Sequence, residues 1–365
     1  MQNSPQHTPS AFAQRLASRT QEIRDGFPEP ATLTAEARQL LYDALGGMIG
    51  HTPLHRIDVE SGSTIWAKLE SGNPGESHYD RCYLHLLHEM ELRGDIIPGE
   101  TKLLDATSGS AGGSLGWIGR ILGYQTQVII PEELPLARVR ALQDTVDEVT
   151  ISRRHGEYIE GVVQTLREII KTRANIRLLK EKKLALPNHS RNLSTPAAFE
   201  SMGREVRAQL PPDVKKLDSV LVMGNGASIK GIEKPLRKRF PQLRVHGVRD
   251  AEKSGKITLF GASGADGAGK LPMPFLNPDQ YDTVTDVHQS DWLREFEECN
   301  KGESEMNTIG RTSAAAFMIA KRLIEKSKER MNILMVVYTH AGRDGDEIVT
   351  DPDATYAGNG HWNQK

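Results

Sequence analysis

Only two cysteines, Cys82 and Cys299, occur in 365 residues, far apart in the chain. They build neither a disulfide framework nor a metal-ligand spacing, and they fit a reducing compartment. Aromatic residues are scarce, at 5%. Charge of one sign is also missing: 46 Lys and Arg face 48 Asp and Glu, a formal net charge of −2. No global field therefore draws the chain to nucleic acid or to anionic lipid. The short basic runs Lys180–Lys183 and Arg237–Arg239 read as solvated helix faces. No apolar stretch approaches the ~20 residues of a membrane span, and the N-terminus lacks the apolar core of a signal peptide. The default expectation is a cytosolic protein that binds no nucleic acid and no membrane.

What is present is alternation. Short β-rich apolar runs at Thr64–Leu69, Lys102–Asp105, Gln127–Ile130, Glu148–Ile151, Ser219–Met223, Arg244–Val248 and Ile333–Val337 are separated by helical patterns. These patterns lie at Arg81–Arg93, Gly112–Leu122, Leu136–Asp144, Glu157–Lys171, Pro196–Gln209 and Thr312–Lys326, with another helix opening at Ile229. Such alternation predicts an α/β fold of parallel sheets covered by helices. Ahead of it, residues 1–39 form an N-terminal helical extension. One helix is expected over Ala11–Ile23, and a second runs from Thr34 to about Leu45 and stops at Gly46-Gly47.

Three Gly-rich turns follow predicted strands or open predicted helices, where unpaired N–H groups and the helix dipole favour anions. Thr107-Ser108-Gly109-Ser110-Ala111-Gly112 reads equally as a carboxylate cradle or as an ordinary Gly/Ser turn. Gly224-Asn225-Gly226-Ala227-Ser228 has the form of a phosphate cup, and it lacks the Gly-Lys-Ser/Thr ending of a P-loop. Lys230 follows it, facing either a phosphate or water. The third turn, Ser71 to Arg81, concentrates polar groups at a helix start. His85 and His88 share a helix face, but a metal site needs further ligands, so none is expected. His340 and Asp344 follow the run Ile333–Val337 and either line a cleft or sit in a loop.

The order of these motifs resembles that of fold-type II pyridoxal-phosphate enzymes, the cysteine synthase and cystathionine β-synthase group. Ile49-Gly50-His51-Thr52-Pro53-Leu54 is similar to I-G-N-T-P-L, and Trp66-Ala67-Lys68-Leu69-Glu70 to Y-A-K-L-E. Asn73-Pro74-Gly75 with Ser77 through Arg81 resembles N-P-G-G-S-V-K-D-R, and Thr107 through Gly112 resembles T-S-G-N-T-G. Gly224 through Gly231 resembles G-T-G-G-T-I-T-G, and Arg311 through Ala315 sits where S-S-G-A-A is expected. The resemblance covers about residues 47–345. It implies a tryptophan synthase β-like architecture. A smaller mobile domain would span 72–176 and a larger one 40–71 with 177–345, leaving 346–365 as a tail. It also implies a homodimer with an amino-acid-like ligand in the interdomain cleft. Thr107, Ser108 and Gly109, continued by Ser110, inherit the substrate carboxylate. Gly224, Asn225, Gly226, Ala227 and Ser228 inherit the cofactor phosphate, and Thr312 inherits the hydroxyl facing the pyridine nitrogen.

One departure decides the functional expectation. By this resemblance the Schiff-base lysine position holds Tyr79, and a phenol forms no imine with an aldehyde. Other departures fall around the cofactor position: Ser110 replaces an asparagine, Ala227 a glycine, and His51 the asparagine of the opening motif. Three readings follow. The first is a lyase or transferase of amino-acid metabolism acting without an internal aldimine, with His78, Tyr79 and Asp80 as its acid–base cluster. In it, pyridoxal phosphate is held noncovalently or is replaced by a phosphorylated substrate. The second is an inactive relative serving as a regulatory or assembly partner of another protein. The third is an ordinary pyridoxal-phosphate enzyme with a displaced lysine, Lys68 or Lys230.

Overall fold

The computed structural model describes residues 11–59, 61–107, 109–132, 134, 136–152, 158–251, 274–301, 309–339, 355–357 and 361–363. Helices α1 (Ala11–Asp25) and α2 (Ala35–Met48) precede the hairpin of β1 (Leu54–Asp58) and β2 (Thr64–Leu69). Next come α3 (Tyr79–Leu92), β3 (Lys102–Ala106), α4 (Ser110–Ile121), β4 (Gln125–Ile130), α5 (Leu136–Thr145) and β5 (Glu148–Ile151). The chain continues with α6 (Tyr158–Ile170), α7 (Arg173–Lys180), β6 (Leu184–Ala185), α8 (Thr195–Ala198), α9 (Glu200–Gln209) and β7 (Asp218–Val222). Then follow α10 (Ala227–Leu236), β8 (Arg244–Asp250), β9 (Thr283–Val287), α11 (Gln289–Cys299), α12 (Arg311–Lys326), β10 (Asn332–Val337), β11 (Thr355–Ala357) and β12 (His361–Asn363).

Two principal sheets result, each wrapped by helices, as the alternation predicts. The larger has the order β1-β2-β10-β7-β8-β9, parallel except for the β1–β2 hairpin. The smaller is wholly parallel, in the order β5-β4-β3-β6. Strand interiors such as Val128-Ile129-Ile130 and Leu334-Met335-Val336 are fully buried, as continuous apolar runs must be when helices cover both faces. The seven expected strands are present. β1, β6 and β9 lack the apolar run that would announce them: β1 is an alternating edge strand, β6 has two residues, and β9 is largely exposed.

Some boundaries moved for physical reasons. α2 runs through Gly46-Gly47 to Met48, and a Cβ at either glycine would meet nothing within 4 Å. The turn comes later, at Gly50 and His51, with φ of +91° and +53°. The expected helix Pro196–Gln209 is broken at Phe199 into α8 and α9. The N-terminal extension packs on the smaller sheet's unit. Leu16, Leu41, Tyr42, Leu45 and Ile49 share a core with Tyr83, Leu115 and Trp117. Arg38 grips the Glu91 carboxylate, which also accepts the hydroxyls of Tyr42 at 2.6 Å and Tyr124 at 2.8 Å. The boundary expected at residue 40 thus falls inside α2, whose apolar face lies with the smaller unit, whereas β1 and β2 belong to the larger sheet. Of the expected tail, the described residues form the β11–β12 ribbon.

A buried ion network pins the two units together. Arg81, on α3, donates to Glu70, at the end of β2, through Nε and Nη2 at 2.7 and 2.8 Å. The same guanidinium donates to Glu205 of α9 through Nη1 and Nη2 at 2.7 and 2.8 Å. Lys68 completes the group, donating to Glu205 at 2.7 Å, to the Thr52 carbonyl at 2.6 Å and to Gln209 at 3.0 Å. Burial alone would raise the Glu205 pKa, but Arg81 and Lys68 outweigh it and hold the group down to about 2, against an ordinary 4.5. A carboxylate depressed in this way contributes stability that is fully present above pH 4.5 and is lost as pH falls toward 2.

Two outcomes are expected. Arg81→Ala leaves Glu70 buried without its cation and lowers stability by about 3–5 kcal/mol in urea unfolding. Arg15→Ala, removing an exposed pair with Glu76, changes it by about 0–1 kcal/mol. On acidification, circular dichroism should show loss of native structure setting in below pH 4.5, and the Glu205→Gln variant should lose this part of the pH dependence.

Candidate functional site

Tyr79 is the first residue of α3, and the turn before it is built to hold that helix start in place. Asn73 is buried, accepts the Gly50 amide at 2.7 Å, and donates to Glu70. Glu76 adopts a left-handed φ of +52°, and Ser77 bridges to Thr339 just beyond β10. Asp80 closes the turn. Its carboxylate takes the Gly75 amide at 2.6 Å, the Ser114 hydroxyl at 2.6 Å and the Trp117 indole N–H at 2.9 Å. A Cβ on Gly75 would come within 2.3 Å of that carboxylate, so only glycine fits. Asp80 is fully buried and fixes the loop onto α4.

His78 and Tyr79 do come together. Their rings lie 4.1 Å apart, and Tyr79 packs against the cores of both units. His78 also contacts Phe199 at 5.4 Å and stands edge-on to Tyr338 at 4.9 Å. On the other side, Tyr79 stands edge-on to His189 at 5.3 Å. An aromatic row of Tyr83, His189, Tyr79, His78 and Tyr338 therefore runs from the smaller sheet to the larger. Burial pushes the Tyr79 phenol well above its ordinary value, with Cys82, Tyr338 and Asp105 adding to the shift. The hydroxyl stays protonated near neutral pH, so it can donate a proton or a hydrogen bond but is a poor base.

The two turns expected to bind anions lie at the carboxyl ends of β3 and β7, where open α/β sheets bind ligands. In the β7–α10 turn, Gly226 takes φ +84°, and a Cβ there would meet the Phe275 carbonyl at 2.7 Å. The Asn225 side chain accepts the Ala227 amide at 3.0 Å. The Ser228 amide and hydroxyl remain at the helix start. Tyr338, buried, has Ser228 and Val222 as its polar neighbours without a hydrogen bond of good geometry to either. In the β3–α4 turn, Thr107 turns inward, and its hydroxyl oxygen accepts the amides of Gly109 at 3.1 Å and Gly112 at 3.0 Å. Gly109 is buried with φ +136°, and Ser110, half-buried, opens α4. Ser108 lies outside the described residues, as do His340 and Asp344. Thr312 is half-buried near the start of α12, and its neighbour Ser313 is fully buried and accepts the Tyr338 amide at 3.0 Å.

The remaining candidates lie elsewhere. Lys68 is fully buried in the ion network, with three acceptors on its ammonium, and Lys230 is exposed on α10. His85 and His88 line a different cavity of about 480 Å³ with His51, between α2, α3 and α9. His88 packs on Tyr42 at 4.4 Å. Among the described residues no cluster of His, Cys, Asp or Glu could hold a metal ion, and no helix is long and apolar enough to cross a membrane. Two polar residues, His189 of the row and Asp105 beside it, escaped sequence reasoning. Asp105 was read only as a strand end, and His189 follows β6, a strand of two residues that no pattern announces. The turn-rich stretch Pro187-Asn188-His189-Ser190 before the helix signal at Thr195-Pro196 was the available cue.

The residues present fit a phosphate at the β7–α10 turn. A phenol such as that of Tyr79 forms no imine, the Lys68 ammonium is held by three acceptors, and Lys230 is exposed.

Comparison with known proteins agrees with this layout. Residues 46–338 match the family described as "Pyridoxal-phosphate dependent enzyme". Cysteine synthase B of Salmonella typhimurium is 29% identical over 252 residues, covering 67% of this chain and 76% of the relative. The Staphylococcus aureus cysteine synthase is 26% identical over 297 residues, covering 79% of this chain and 89% of its own. Among solved structures, a hydrogen sulfide-producing enzyme of Fusobacterium nucleatum superposes with a TM-score of 0.70 at 22% identity, over 82% of this chain and 98% of that one. The O-acetylserine dependent cystathionine beta-synthase of Helicobacter pylori gives 0.68 at 23% identity, over 82% and 95%. The fold is thus that of the cysteine synthase-type structures, and the chain belongs to the pyridoxal-phosphate dependent enzyme family.

Proposed function

We propose that this chain is a divergent cysteine synthase-like lyase or transferase that works without a covalently held cofactor aldehyde. A phosphate-bearing small molecule, pyridoxal phosphate or a phosphorylated substrate, sits at Gly224–Ser228. An amino-acid-like ligand places its carboxylate at the β3–α4 turn. The observation carrying this reading is Tyr79: the residue at the start of α3, where the resemblance places the family's lysine, is a half-buried tyrosine packed against both cores. The positions of Lys68 and Lys230 argue against a displaced lysine. The relatives carry the names of cysteine synthases, which supports small amino acids as the ligand class. Tyr79 serves as hydrogen-bond or proton donor rather than base, with His78 packed on its ring. A homodimer in the cytosol completes the reading.

A second reading has its own support. Thr107 spends its hydroxyl on the amides of its own loop, and a pure partner protein needs that loop only as a strand-to-helix connection. Such a protein binds another protein and turns over no amino acid.

The deciding measurement is the visible absorbance of the purified protein with added pyridoxal phosphate, before and after gel filtration and borohydride. A band that filtration removes and borohydride does not fix is expected for the wild type. Tyr79→Lys restores an amine at the helix start and should retain a borohydride-fixed band. A pyridoxyl-lysine peptide from the wild type would overturn the reading in favour of a displaced lysine. Tyr79→Phe should abolish amino-acid turnover; unchanged turnover removes the phenol from the chemistry.

A further inference from the structure

Asp105 ends β3, and it is 3% exposed. Its Oδ2 accepts the Tyr83 hydroxyl at 2.9 Å and the His189 backbone amide at 3.1 Å, and lies 3.1 Å from His189 Nδ1. Oδ1 accepts the Ala106 amide at 2.8 Å. An ionised carboxylate can only accept, so the imidazole nitrogen facing it carries the proton. The Tyr83 hydroxyl gives its own proton to Asp105 and offers a lone pair to the same Nδ1 at 3.0 Å. Both neighbours therefore select the Nδ1–H tautomer and leave the lone pair on Nε2. The backbone is fixed as well: Thr195 donates to the His189 carbonyl at 2.9 Å, and Asn188 takes φ +51°. Among the described residues, Nε2 has no hydrogen-bond partner, and the ring stands edge-on to Tyr79. Because β6 lies beside β3, parallel to it, the His189 loop and the Thr107 loop open at the same sheet end.

We propose that His189 is the base of the cleft and that its Nε2 takes a proton from the ammonium group of the bound amino acid. This rests on the reading that an amino-acid carboxylate occupies the β3–α4 turn. In the step, an ammonium N–H bond breaks and its electron pair stays on the ligand nitrogen, which becomes a free amine. The new N–H bond forms at Nε2, and the imidazolium is paired with Asp105. The other groups facing the ring, Tyr79 and Tyr83, are pushed up by burial and stay neutral. An amine freed in this way is what an enzyme lacking a lysine imine requires, since a protonated amine is no nucleophile.

The test is ¹⁵N NMR of the full-length protein labelled at histidine, with His189→Gln assigning the resonance and calorimetry following L-serine binding in parallel. The expected result is a neutral Nδ1–H tautomer in the free protein, converted to imidazolium by saturating L-serine at unchanged pH. Asp105→Asn, whose carboxamide can donate to Nδ1, should move the proton to Nε2; the wild-type measurement decides the matter even where that variant fails to fold. An Nε2–H tautomer in the wild type overturns the assignment, whatever binds. Binding heat with an unchanged neutral His189 overturns the proton transfer but leaves the proposed function standing. No heat and no spectral change overturns the amino-acid ligand and, with it, the role of His189.

Discussion

The Arg81 guanidinium, shared between Glu70 and Glu205, is the constraint on which the site depends. It leaves α3 two residues after Tyr79 and ends on the larger sheet and on α9. The start of α3 is therefore fixed relative to both units, and the Tyr79 ring has one place to go. The group is electrically balanced, two carboxylates against Arg81 and Lys68, and each charge has several hydrogen-bond partners. Balance of that kind is what permits charges to be buried at all. It also fixes the role of Lys68. An ammonium that holds Glu205, Thr52 and Gln209 together cannot leave without stranding the Glu205 carboxylate and the Thr52 carbonyl.

Around that anchor stands a row of rings. The lysine expected by resemblance would bring a flexible cation to the helix start, whereas Tyr79 brings a rigid, neutral group that interlocks with His78 and His189. Desolvation keeps its phenol protonated, so Tyr79 is a donor and a poor base. In the proposed enzyme, proton acceptance falls to another group. The described row contains two imidazoles, and Asp105 orients one nitrogen of His189.

Much of this was legible in the sequence, because the long parallel strands are apolar throughout and the glycines at 109 and 226 mark backbone conformations that side chains avoid. The illegible parts share one cause: they depend on partners distant in the chain. Asp80 sits next to Tyr79 and looked like its chemical partner, but Ser114 and Trp117, more than thirty residues away, claim its carboxylate. Asp105 and His189 are 84 residues apart and meet because β6 pairs with β3 over two residues. Helix ends read from glycine alone also failed, since Gly46 and Gly47 adopt helical geometry and the turn waits for Gly50.

The two anion turns and the Asp105 cluster differ in what their persistence implies. A strand-to-helix turn keeps its exposed amides and its left-handed glycine whether or not a ligand ever arrives, because the helix start itself supplies them. Thr107 even acts as a local cap, a structural duty sufficient to retain it. The Asp105 carboxylate also accepts backbone amides, those of Ala106 and His189, but it reaches an imidazole as well. It is buried, and among the described residues its ion-pair partner is a histidine rather than a permanent cation. Burying a carboxylate is costly, and here the cost is offset by the Tyr83 hydroxyl, the His189 ring and two backbone amides. Orienting His189 is the return that this arrangement gives, so Asp105 and His189, more than the glycine turns, weigh toward an active site.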